Sequence, residues 1–199
     1  MNFSKTFNDD IYYCGRLNLP QVLVESQLKD FESDHVRTAS LIQPQAGVID
    51  HIVIDQRLNE KQNKYKGYGY TSHNTKIWKT TNIEHKLTFD WEKQICEQLP
   101  LVNAVATVTR QDPGQILPWH QDEFFYHRKF YPDNTFEIWR FLVFLSDWKL
   151  GHFVQANDTV YHHWSFGDTI VWRPETMHLS VNVGLDVKWT CNITGHLTL

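Results

Sequence analysis

Nowhere in this chain do apolar residues run together for the roughly twenty positions that a membrane-spanning helix needs. Its opening, MNFSKTFNDD, has no basic segment followed by an apolar core, so a protein that is neither inserted nor exported is expected. Cysteine is scarce. Cys14, Cys96 and Cys191 are odd in number, far apart and without CxxC spacing, which argues against a disulfide framework or a cysteine zinc site and fits a reducing cytoplasm. Positive charge is not in excess either: the formal balance is −4, so nothing draws the whole molecule to phosphate backbones, and a nucleic-acid partner is not expected. The one local basic and aromatic stretch, KQNKYKGYGY (61–70), reads as a solvated loop or edge strand. A GxSxG elbow and a glycine-rich phosphate loop are also missing, which leaves nucleophilic and nucleotide hydrolysis without machinery.

What is present is ample material for a core. With 199 residues, 41% hydrophobic and 14% aromatic, the chain can bury most of its apolar surface as one domain, residues 1–199. No repeat or low-complexity tract divides it. Its texture changes near residue 100. Before that point LPQVLVESQLKDF (19–31) and FDWEKQICEQL (89–99) read as amphipathic helices, with Pro20 suited to a first helical position and Asp90 to a cap. After it come short β-rich runs between turn signals: VNAVATVTR, WRFLVFLSDW, HFVQ, TVYHHW, TIVW, LSVNV and VKWTCNITG. Many short strands at close spacing predict a mainly β sandwich or barrel, with the N-terminal helices packed outside one sheet.

In VKWTCNIT, Lys188, Thr190, Asn192 and Thr194 share one strand face while Val187, Trp189, Cys191 and Ile193 share the other. If the apolar face lined the barrel, the polar face would be ordinary surface. If helices covered the apolar face, a lysine, an amide and two hydroxyls would line the interior. The two helices, which need an apolar sheet face to dock on, favour the second arrangement.

GQILPWHQDEFFYH (114–127) sets His120 and Asp122 two positions apart in an apolar and aromatic run. In extended backbone the two aim at one point, and an imidazole with a hard carboxylate suits a first-row divalent metal. With 11 histidines in the chain, one such pair by chance is unremarkable. A third residue strengthens the reading: His178, after GDTIVWRPETM, begins an extended run. Two histidines and one carboxylate form the facial triad that leaves positions open on a non-haem Fe(II) ion. Ten residues on stands Lys188, the kind of fixed cation that the distal carboxylate of 2-oxoglutarate needs when its other end chelates iron.

On these residues the chain resembles the Fe(II)/2-oxoglutarate-dependent oxygenases. PWHQD, WRFLVFL, WSFGDTIVW, HLSVNVG and VKWTCNITG follow one another in the order of that family's core, over roughly residues 103 to 197. From Arg140 onward the pattern looks most like the aspartyl/asparaginyl β-hydroxylases, with an arginine-bearing strand, WxxGD, the distal histidine and a basic residue ten positions later. Asp122 is present here, whereas some of that group lack the carboxylate ligand. Lys188 is similar to the prolyl 4-hydroxylase pattern rather than to the arginine common in the aspartyl group. The resemblance implies a double-stranded β-helix (jelly roll) core over 101–199 under a helical and mixed cover over 1–100. It implies Fe(II) on His120, Asp122 and His178, 2-oxoglutarate with its tail on Lys188, and O2 as co-reactant, with no catalytic group beyond the metal ligands. Succinate and CO2 would leave as an amino-acid side chain, in a peptide or a free amino acid, is hydroxylated.

Other residues are more ambiguous. Arg140, inside WRFLVFL, must point out of the sheet or pair with an anion inside it, and the resemblance favours a carboxylate of cosubstrate or substrate. His162 and His163 are adjacent, hence on opposite faces of a strand, and read as surface or rim residues. His152 fits a cavity mouth or plain packing, and Arg173 fits a solvated loop. EFFYHRKFYPDNTFE (123–137) reads as a substrate-covering loop or a hairpin flap. Two alternatives stay open: a catalytically silent jelly-roll module that binds a small acid or peptide, and a metal cupin that does not use 2-oxoglutarate.

Overall fold

A computed structural model describes residue 3 and residues 7–29, 36–40, 56–80 and 89–198. In chain order the elements are β1 (Tyr12–Arg16), α1 (Gln21–Lys29), β2 (Val36–Ser40), α2 (Gln56–Gly67), β3 (Lys76–Thr80), α3 (Asp90–Glu97), β4 (Leu101–Gln111), β5 (Gln115–His120), α4 (Phe125–Phe130), β6 (Ile138–Phe144), β7 (His152–Ala156), β8 (Thr159–Tyr161), β9 (Asp168–Val171), β10 (His178–Asn182) and β11 (Lys188–Leu197). Seven strands form one antiparallel sheet in the order β1-β9-β6-β11-β4-β3-β2, and four form the other, β5-β10-β7-β8. From β4 to β11 the chain passes back and forth between the two sheets, which is the winding of a jelly roll. Among the described residues no helix is long and apolar enough to cross a membrane.

The period of two along β6 and β11 decides what each sheet face meets. Phe141, Val143, Cys191 and Ile193 belong to one buried cluster with Val24 and Leu28 of α1 and Trp91 and Ile95 of α3. Leu142 and Phe144 instead join Val154, Ala156, Trp164 and Ile170 between the sheets. The first cluster thus takes in the apolar residues of β11 together with those of α1 and α3, each large side chain removed from water contributing about 1.5–3 kcal/mol. The polar face is thereby left to the interior.

β10 and β11 lie in different sheets, so the ten-residue step from His178 to Lys188 is a corner crossing rather than a hairpin. Gly184 makes that corner possible. A Cβ there would collide with the Leu150 carbonyl, and one on Gly151, whose φ is +89°, would strike the Gly184 backbone.

Several expectations are corrected. Residues 61–67 are helical, the second half of α2, rather than loop or edge strand. α2 lacks an apolar stripe and docks by a polar contact, Tyr65 Oη donating to the Trp119 carbonyl. The residue that caps α3 is Phe89 and not Asp90. Phe89 stacks on Trp91 at 5.1 Å, and Glu92 reaches back to accept its N–H at 3.2 Å, so the capping oxygen comes from the third helical position. Pro20 stands just outside α1, its carbonyl accepting the Val24 N–H at 3.0 Å. Segment 123–137 holds α4, a short helix, where a loop or hairpin was expected. β8 ends at Tyr161, so strand alternation does not reach His162 and His163. The left-handed backbone of His163 (φ 59°) brings the two Nδ1 atoms together, and its ring stacks on Trp148 at 4.0 Å.

Candidate metal centre

β5 and β10 are antiparallel neighbours, and their register sets His120, the last residue of one, opposite His178, the first of the other. The two rings lie 4.2 Å apart, with the Trp172 ring 4.5 Å from that of His178. Each Nδ1 meets a carbonyl two residues back in its own chain: His120 that of Pro118 at 2.8 Å and His178 that of Thr176 at 3.0 Å. A carbonyl only accepts, so each Nδ1 carries the proton and each Nε2 presents a lone pair. Burial drives the His120 pKa down to about 4, the neighbouring His178 adding to the effect, and burial lowers that of His178 as well. Both imidazoles are therefore neutral near pH 7, the form that ligates a cation.

Asp122 lies two residues beyond the end of β5, in backbone that is no longer strand. Strand alternation alone therefore does not aim it, contrary to expectation. Its Oδ1 accepts from Arg140 Nη1, while Oδ2 is buried without a hydrogen-bond partner and sits 3.7 Å from His178 Nε2. Gln121, between the two ligands, donates from Nε2 to the Glu175 carbonyl at 2.8 Å. That bond ties the segment after β5 to the segment before β10. One candidate ligand atom from each of His120, Asp122 and His178 lies within 4.8 Å of the others. A partnerless buried carboxylate oxygen 3.7 Å from an imidazole nitrogen, in a cluster with a second imidazole, is a costly arrangement unless a cation completes it, so the donor set fits a divalent ion of the first transition row.

Below the triad the barrel interior is polar, as the alternation in β11 implies. Lys188 is 1% exposed. Its Nζ donates to the Phe153 carbonyl at 2.7 Å, Ser180 Oγ at 2.9 Å and the Val181 carbonyl at 3.2 Å, and lies 5.3 Å from the Trp164 ring centre. All three acceptors are neutral, and burial holds the lysine pKa well below its usual value. Ser180 Oγ donates to Gln111 Oε1 at 2.6 Å. Ser180 and Gln111 line this floor, and neither is marked by a sequence motif; Ser180 shows only as the i+2 neighbour of His178 on one strand face.

Arg140 points inward and pairs with an anion, Asp122. Its Nε also donates to Thr194 Oγ1 at 3.0 Å. His152 lies at the Lys188 end, buried, with Nε2 2.9 Å from the Asp186 carbonyl. Arg173 ties down the N-terminal segment: Nη2 donates to the Phe7 carbonyl at 2.7 Å. Asp168 of the WxxGD motif accepts from Tyr13 Oη at 2.9 Å, Arg16 Nε at 2.9 Å and the Ser165 N–H at 2.7 Å, which makes it a brace between β1 and β9.

No family model matches the chain, and no curated protein matches it in sequence. Among solved structures it is similar to AviO1 from Streptomyces viridochromogenes Tue57, at 13% identity and a TM-score of 0.53, covering 94% of this chain and 90% of that one. It is also similar to the viral collagen prolyl hydroxylase of Paramecium bursaria Chlorella virus-1 in its 2OG complex, at 12% identity and a TM-score of 0.45, covering 94% and 96%. A Pseudomonas putida prolyl-4-hydroxylase follows at 12% identity and 0.43, covering 87% and 98%. Together with the strand order, the similarity to AviO1 shows the fold: a mainly β, double-stranded β-helix of jelly-roll type.

Proposed function

We propose that this protein is an Fe(II)- and 2-oxoglutarate-dependent dioxygenase that hydroxylates a C–H bond. One observation carries the reading. Two neutral imidazoles with Nε2 turned inward and one partnerless carboxylate oxygen converge at one end of a jelly-roll interior, whose floor holds a buried lysine without a counter-ion among the described residues. The resemblance of residues 103–197 to the Fe(II)/2-oxoglutarate oxygenases supports the same conclusion.

His120, Asp122 and His178 would hold Fe(II). When bound, iron supplies the coupling of O2 and 2-oxoglutarate to substrate: one oxygen atom ends in succinate with loss of CO2, the other in the new hydroxyl. The chain's own residues do the positioning. Lys188 receives the distal carboxylate and gains the countercharge it lacks, while Ser180 can turn its hydroxyl from Gln111 to the same carboxylate. Arg140, with Nη1 and Nε engaged, keeps Nη2 for a carboxylate of cosubstrate or substrate. Trp164, Phe144 and Leu142 keep water from the floor.

The substrate we favour is an amino-acid side chain, in a peptide or as the free amino acid, on the pattern of the strands from Arg140 onward. A panel of peptides and free amino acids, incubated with Fe(II), 2-oxoglutarate and air, should give succinate and a product heavier by one oxygen atom. Modification of nucleic-acid bases alone would overturn the substrate class. Purified protein that binds neither Fe(II) nor 2-oxoglutarate would overturn the function. One observation favours a second reading: the three donors of Lys188 already have acceptors, so a metal cupin without 2-oxoglutarate would leave this lysine purely structural. Succinate formation distinguishes the two.

A further inference from the structure

β6 places Arg140 on the interior face, two and four residues from apolar Leu142 and Phe144. A guanidinium there needs a reason, and its contacts supply one. Thr194 of β11 is its direct cross-strand partner and holds Nε at 3.0 Å, so the long side chain is fixed at its waist. Nη1 then takes Asp122 Oδ1. The backbone at 121–124 has no strand or helix geometry to fix the direction of that carboxylate. The guanidinium engages one oxygen and leaves Oδ2 partnerless, 3.7 Å from His178 Nε2.

We propose that Arg140, clamped by Thr194, is the positioning residue that turns Asp122 into a one-oxygen ligand. The metal affinity of the site is then set from β6 and β11 as well as from the ligands themselves. This rests on the metal-centre reading above. Two effects of the guanidinium oppose each other. As a cation it repels the ion, so its removal would tighten binding. As an orienting partner it holds the carboxylate in place, and outer-shell losses of that kind typically weaken metal binding about 10- to 100-fold. The contact geometry decides in favour of orientation, because Arg140 occupies Oδ1 whereas the oxygen 3.7 Å from His178 Nε2 is Oδ2, so the guanidinium does not compete for that ligand atom.

The test is anaerobic Co(II) titration by calorimetry and visible absorption at one fixed pH, on the wild type, Asp122→Ala, Arg140→Met, Arg140→Lys and Thr194→Val, with the metal-free unfolding midpoint of each recorded. Binding by the wild type, loss in Asp122→Ala and a weakening of about 10- to 100-fold in Arg140→Met are expected, with part of the loss recovered in Arg140→Lys. Thr194→Val keeps the full charge and removes only the clamp. It should weaken Co(II) severalfold and alter the cobalt spectrum, and it tests the inference even if Arg140→Met does not fold. Wild-type or tighter Co(II) affinity in the folded Arg140 and Thr194 variants, with Asp122→Ala still defective, overturns the positioning role and spares the metal centre. Failure of the wild type to bind Co(II) overturns both.

Discussion

Replacing Lys188 by methionine separates a cosubstrate anchor from a structural lysine. Methionine nearly matches the length and volume of the side chain, so packing against Trp164 is kept and the ammonium alone is lost. Two terms act on stability. Removing the donor costs one bond at each of the Phe153 and Val181 carbonyls and Ser180 Oγ, at about 0.5–1.5 kcal/mol per bond, since the two carbonyls belong to paired residues of β7 and β10 and Ser180 keeps Gln111. Against that, the wild type bears the desolvation of a buried cation whose acceptors are all neutral, which costs several kcal/mol. The terms oppose, so the unfolding midpoint should move little. The binding term has no such offset. A charge-assisted hydrogen bond to a carboxylate in a dry interior is worth about 1.5–3 kcal/mol, or roughly ten- to a hundredfold in affinity. Calorimetric titration of Mn(II)-loaded protein with 2-oxoglutarate should therefore show a Kd weaker by that factor in Lys188→Met. Mn(II) affinity should be unchanged, and Lys188→Arg should be partly restored. An unchanged 2-oxoglutarate Kd in Lys188→Met would refute the reasoning and move the anchor to Arg140.

Further outcomes are expected. Asp122→Ala removes the only anionic ligand and should abolish metal binding while the folded far-UV spectrum persists; near-wild-type metal affinity in that variant would dismiss the triad. Gly184→Ala drives a methyl into the Leu150 carbonyl and should cost about 1–3 kcal/mol in urea denaturation; an unchanged midpoint would show that the corner between β10 and β11 is not tightly packed. Burial pushes the Cys14 thiol up to about 12, that of Cys96 to about 11, and that of Cys191 well above its usual value. A raised value means that the reactive thiolate is depleted at every pH below it, to about one part in a thousand or less at pH 8 for Cys14 and Cys96. Native protein should accordingly resist thiol reagents at pH 8 and react at three sites once unfolded; rapid native labelling would contradict the burial.

The core strands are legible in the sequence because their patterns are local. Alternation in VKWTCNITG by itself separates Cys191 and Ile193 from Thr190, Asn192 and Thr194, and the two helices that need a docking face indicate which side is interior. The triad is legible for a similar reason: His178 begins a strand and His120 ends one, so chain punctuation marks both. Asp122 is legible only in part, since β5 stops at His120 and the carboxylate is aimed by Arg140 and Gln121, through contacts that span 18 and 54 residues of sequence. Elements on the periphery are less legible. α2 carries no apolar period, and the contact of Tyr65 with the Trp119 carbonyl is a long-range polar bond that composition cannot reveal. Phe89 displaces Asp90 as the residue that caps α3 because stacking on Trp91 fixes the entry of the chain, which capping preferences do not encode. The inward turn of Arg140 is undecidable from its strand alone. A guanidinium among apolar residues reads equally as an outward or a paired charge until its partner is placed.

The most direct test of the central claim is succinate formation from 2-oxoglutarate by purified protein supplied with Fe(II), ascorbate and air, run beside Asp122→Ala. Succinate above the protein-free background in the wild type, absent in Asp122→Ala, is the predicted result. Background-level succinate from folded wild type that has been shown to carry Fe(II), across the full panel of peptides and amino acids, would contradict it.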